Sequence, residues 1–186
     1  MKRPACLALL LASAALPQAF AADWRMDPAA SRLDFAATYE NAAAPGVFRE
    51  FDVRLDFDPE RPADGRLEVG IRVASADMAN ADINKAIAAA EWFDFARHPQ
   101  AEFRATEIRR VQANQYLARG TLKLKGVQQP VEVPFSWNAT ADGASMQGEF
   151  VVKRLPFGIG TGEWASTSII GPAVTVKFLV RLRKTS

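Results

Sequence analysis

The sequence predicts an all-β domain with one short helix, folded as an eight-stranded antiparallel β-barrel. Three observations predict it: eight runs of alternating apolar and polar residues, short connections rich in Pro, Gly, Asn and Asp, and one Ala-rich segment with helical spacing. Period-two alternation places successive side chains on opposite faces of a strand. Strands with one apolar and one wet face suit an antiparallel sheet, and closing it into a barrel removes its exposed edges.

The first run is Leu33, Phe35, Ala37 and Tyr39. The second is Phe51, Val53, Leu55 and Phe57, against Asp52, Arg54, Asp56 and Asp58. Leu67 to Val73 and Ala101 to Ala105 form the third and fourth. Tyr116 to Leu124, Val131 to Trp137, Met146 to Val152 and Val174 to Leu182 complete the set. Asp58-Pro59 through Gly65, Gly126 through Pro130 and Asp142-Gly143 carry turn chemistry. Two segments break the alternation. Asp82 to Glu91, with Ile83, Ile87 and Ala90 at helical spacing, reads as a short helix. Leu155 to Pro172, with Gly158, Gly160, Gly162 and Gly171, is long for a hairpin connection and reads as a mobile loop.

Residues 1–21 read as a secretory signal: Lys2 and Arg3, the apolar run Leu7 to Leu16, then Ala19-Phe20-Ala21 at the cleavage point. Residues 22–186 are then one domain. Export removes Lys2 and Arg3 from 23 basic residues, which leaves 21 basic against 21 acidic and recommends no nucleic-acid partner. Cys6, the only cysteine, leaves as well, so the exported chain has no disulfide, thiol nucleophile or thiolate metal site.

Catalytic parts are few. The single histidine, His98, precedes Pro99 in a connection and reads as a loop residue. Acidic pairs such as Asp52/Asp56 lie on the polar face of their strand and point to water. The Gly158-Ile159-Gly160-Thr161-Gly162 run lies between antiparallel strands with no crossover helix after it, so it reads as turn chemistry rather than a nucleotide loop. No metal site or catalytic residue is assigned.

The aromatic content says more. Phe35, Tyr39, Phe51, Trp92, Phe93, Phe95, Phe103, Phe135, Trp137, Phe150, Phe157, Trp164 and Phe178 fall on or beside apolar faces. Each singly reads as core, yet together they can line an elongated apolar pocket with few polar anchors. Inward Gly120 and Gly148, with Ala37, Ala101, Ala105 and Ala118, leave room for a cavity or let a helix pack closely.

An ordered set of segments resembles the YceI-like family of polyisoprenoid-binding, lipocalin-like proteins. It comprises Ser31 to Phe35, Gly46 to Phe51, Glu91 to Phe95 with His98 to Phe103, Gly120 to Val127, and Lys153 to Gly160. The resemblance implies a lipocalin-like barrel, export to the periplasm, a frequent homodimer, and a tunnel for a long isoprenoid of the polyprenyl or ubiquinone type. Bound ligand apart, it implies no cofactor. Some members are linked to membrane cytochromes, so a cytochrome or quinone enzyme joins the partners it implies. The expectation is a binder that carries or stores an isoprenoid rather than an enzyme. Two alternatives stand beside it. One is a hydrolase of the lipid head group, with His98 or Glu163 as base. The other is a filled barrel that binds a partner.

Overall fold

The computed structural model describes residues 23–185. The expected signal segment lies outside the described residues. The chain forms β1 (Asp23–Met26), β2 (Arg32–Tyr39), β3 (Ala42–Phe48), β4 (Phe51–Asp56), β5 (Arg66–Arg72), β6 (Ala76–Asp77) and α1 (Ala81–Ile87). Then follow β7 (Gln100–Gln112), β8 (Gln115–Leu124), β9 (Val127–Thr140), β10 (Gly143–Lys153) and β11 (Ala173–Lys184). The sheet runs β4-β5-β7-β8-β9-β10-β11-β2-β3-β6, and β1 closes it by pairing with both β4 and β11. All pairings are antiparallel. Taking β1 with β2, β3 with β4 and β5 with β6 as bent single strands gives the expected closed eight-stranded barrel with one helix.

The eight alternating runs all become strands. Three strands escape that pattern: the two-residue β6, β1 and β3. β1 is only four residues long. β3 reads Ala-Ala-Ala-Pro-Gly-Val-Phe, with no alternation and a proline. It is tolerated because β3 pairs along its length only with β2 and meets just two residues of β6 on its other side, so the sheet does not need the missing N–H. Glu40 and Asn41, both at positive φ, make the two-residue turn between β2 and β3. The helix is shorter than the sequence suggests, and Asn80 caps it by accepting from the amides of Asp82 and Ile83, both at 3.0 Å.

One end of the barrel is packed solid. Phe57 meets Tyr116 at 5.2 Å, Phe135 at 5.9 Å and Trp137 at 5.0 Å between ring centroids, all near T-shaped. Trp24 meets Trp137 at 5.0 Å, and its Nε1 donates to the Phe57 carbonyl at 2.9 Å. Such pairs add about 0.5–1.5 kcal/mol each beyond the area they bury. Charged residues line the barrel's outer surface, as in the Arg119 ion pairs with Glu132 and Glu107. Asp56 departs from its expected exposure, since it is half-buried and its Oδ1 is shielded from solvent.

The two inward glycines leave no open space. A Cβ on Gly120 would overlap the Arg104 carbonyl across β7, and one on Gly148 would overlap the Pro134 carbonyl and the Phe178 ring. These glycines let neighbouring backbones and one aromatic ring close in. Ala101 and Ala118 are buried in the core.

Candidate functional site

At the opposite end the strands do not meet over a packed core. The β2–β3 hairpin, α1, the turn after α1 and the 155–172 connection stand around an apolar pocket of about 440 Å³.

Each wall is fixed by a local device. Asp77, at the end of β6, accepts from Asn84 Nδ2 at 2.9 Å, from the Ala79 amide at 2.8 Å and from the Arg49 guanidinium. The Asn84 hydrogen bond leads these contacts, which hold the Asp77 carboxyl at about 2. They pin the start of α1 to β3. After the helix, the amides of Phe93 and Phe95 return to the carbonyls of Ile87 and Ala88, and the chain turns back with Asp94 at positive φ. That turn aims Trp92 and Phe93 into the pocket.

The long connection is not the free loop its glycines suggest. Arg154 is only 2 % exposed and, among the described residues, has no carboxylate partner. Its Nε donates to Gly171 O at 3.0 Å, and Nη1 to Ile159 O at 3.0 Å and Gly160 O at 2.9 Å. Nη2 donates to Trp164 O at 2.9 Å, Ser166 O at 3.2 Å and Ile170 O at 2.9 Å. All five guanidinium N–H groups are thus committed to loop carbonyls. Burial pushes the Arg154 pKa down. Lys125 acts similarly: its Nζ donates to Ala90 O and Gly158 O, both at 2.6 Å, tying the helix end to the loop. Burial lowers its pKa too. Gly158, Gly160 and Gly162 all stand at positive φ, which is turn chemistry, and the amides of Gly160 and Thr161 donate to Glu91 O.

The expected lining residues divide. Phe35, Tyr39, Trp92, Phe93 and Trp164 line this outer pocket, with Trp92 and Trp164 ring centroids 5.7 Å apart. Phe51, Phe103, Phe135, Phe150 and Phe178 line a second, smaller void of about 80 Å³ inside the barrel. Phe95, Trp137 and Phe157 line neither. Phe95 packs behind Phe93 at 6.1 Å, Trp137 belongs to the solid end, and Phe157 is buried at the base of the loop. The resemblance implies a tunnel through the barrel, and the structure holds two apolar spaces, the larger at one mouth and the smaller inside. Of the expected lining rings, Phe135 and Trp137 pack against Phe57 at the far end, and most of the space lies at one mouth.

Sequence reasoning missed Ile83, Ile87, Met78, Ile159, Ile170 and Arg154 as pocket residues. One signal was available for Arg154. It occupies the next inward position after Met146, Gly148, Phe150 and Val152, where a charge is out of place. His98 and Glu163 line neither apolar cavity; the His98 ring stands against Gly126.

Residues 24–182 match the model of the YceI-like domain. The chain belongs to the YceI-like family. A UPF0312 protein of Photorhabdus laumondii is 29% identical over 120 residues, a match covering 60% of this chain and 62% of that relative, under two thirds of its length. The crystal structure of Burkholderia cenocepacia BcnA superposes with a TM-score of 0.82 at 33% identity, over 84% of this chain and 98% of that one. A polyisoprenoid binding domain from Saccharophagus degradans, implicated in plant cell wall breakdown, superposes with a TM-score of 0.70 at 15% identity, over 89% of this chain and 99% of that one. At that identity the likeness speaks for the fold.

Proposed function

We propose that this protein is an exported, periplasmic binder of a long isoprenoid of the polyprenyl or ubiquinone type, which it carries or stores. The observation that carries the reading is the outer pocket, about 440 Å³ of space walled by Phe, Trp, Ile, Met and Ala side chains. Its single charged lining residue, Arg154, has spent its donors on carbonyls, so it offers no clamp for a phosphate group. Such a site holds its ligand by the chain. Burying about 400 Å² of isoprenoid at ~25 cal/mol per Å² supplies roughly 10 kcal/mol before ordering costs are subtracted. The family membership and the polyisoprenoid binding domain among its structural neighbours support the same ligand class. A binder fits better than a hydrolase, because neither base considered for that chemistry stands in the cavity wall.

The test is organic extraction of protein purified from an exporting host, followed by mass spectrometry. The proposal expects a near-stoichiometric long-chain isoprenoid. A clean extract, together with no uptake of added isoprenol, would remove it. Turnover of a lipid head group that is lost in His98→Ala would instead favour the enzyme.

A further inference from the structure

The outer pocket and the inner void are stacked along the same strands, and one aromatic layer separates them. On β2, Leu33 lines the inner void and Ala37 the outer pocket. These positions lie roughly 13 Å apart along an extended strand, and Phe35 sits midway. On β11, Val176 lines the inner void and Val174 the outer pocket, with Phe35 paired directly opposite Val176. Phe35 packs on Phe48 at 4.9 Å, and Phe48 meets Phe93 edge-on at 6.5 Å. Phe48 and Phe93 touch both clusters of core residues, and Phe48 lines neither space. The Phe35 ring has its own seat, because it lies over the bare backbone of Gly46, its cross-strand partner, where any Cβ would overlap it.

We propose that Phe35 is a specificity-determining residue that sets the chain length this protein accepts. The inference rests on the isoprenoid reading above. The outer pocket alone has the size of a site for a drug-sized ligand, roughly 300–1,000 Å³. A short isoprenol fits there with Phe35 seated. A long one must turn the Phe35 ring off Gly46 to pass its tail toward the inner void, and the free energy of that displacement is subtracted from its affinity. Phe35 thereby disfavours long chains relative to short ones, which meet its seated ring only as part of the outer pocket wall.

The experiment is competition by farnesol and by solanesol, each delivered from cyclodextrin, against a fluorescent apolar probe. It is run on the wild type, Phe35→Leu and Phe35→Trp. The readout is the ratio of solanesol to farnesol affinity, which a general loss of stability does not move in opposite directions. Phe35→Leu is expected to raise that ratio about tenfold, which corresponds to ~1.4 kcal/mol of removed barrier, and Phe35→Trp to lower it. If the tryptophan variant does not fold, the leucine variant decides alone. A ratio constant within about twofold across the folded variants overturns the partition while leaving the isoprenoid reading intact. A wild type that binds neither alcohol overturns both.

Discussion

The two ends of this barrel solve the same problem in opposite ways. At the closed end, where β1 stitches β4 to β11, aromatic rings fill the space and hold one another edge to face. At the open end the strands are spanned by a helix and a long connection, and apolar space is left between them. There, two cations bonded to backbone carbonyls, Arg154 and Lys125, hold the walls apart. A carbonyl-bonded guanidinium fixes a loop without filling the volume under it, which a hydrophobic plug cannot do. Stability therefore resides at one end and capacity at the other.

That division can be broken selectively. Phe57→Ala removes the central ring of the closed end and should cost about 3–5 kcal/mol, read as a lower midpoint in denaturant. Bound lipid per folded molecule should stay as in the wild type, and parallel loss of lipid would mean the ends are not independent. Arg154→Met should cost about 3 kcal/mol, because the buried carbonyls of Ile159, Gly160 and Ile170 lose their donors. Here lipid retention should fall together with stability. Gly160→Ala acts on the same node more gently. Its φ of 70° is unfavourable to alanine, and its Cβ would press on Arg154 Nη1. A loss of about 1–3 kcal/mol is expected, with partial loss of lipid.

The smallest effect belongs to Asp77. Its carboxyl is held at about 2, below the ordinary aspartate value of 3.8, so its contribution is complete above pH 3.8 and disappears as pH falls through about 2. Thermal melts of wild type and Asp77→Asn should differ at neutral pH and converge in acid. A difference that persists at the lowest pH would assign the anchoring of α1 to something other than the carboxylate.

The same contrast explains what was legible in the sequence. All eight alternating runs became strands, since alternation reports directly on a half-buried pleated surface. β3 was invisible because its alanines, proline and glycine are chosen to seat the Phe35 ring and to tolerate an edge, not to fill a core. The aromatic residues were recognised as a group, but their order along the barrel axis depends on register, which places Trp137 at the packed end and Phe35 toward the open one. Gly120 and Gly148 suggested space because a missing side chain looks the same in a sequence whether a void or a neighbour's backbone takes its place. The glycine-rich connection suggested mobility because the residue that orders it, Arg154, acts through carbonyls that every residue carries.

The central claim is that the open-end pocket holds the lipid. Ala37 lines that pocket from β2, away from the packed aromatic end. Ala37→Trp should fill the pocket from within its wall, and the amount of lipid extracted per mole of folded protein is the measurement. The account predicts that the variant melts near the wild type and carries little or no lipid. A variant that folds and carries as much lipid as the wild type would contradict it.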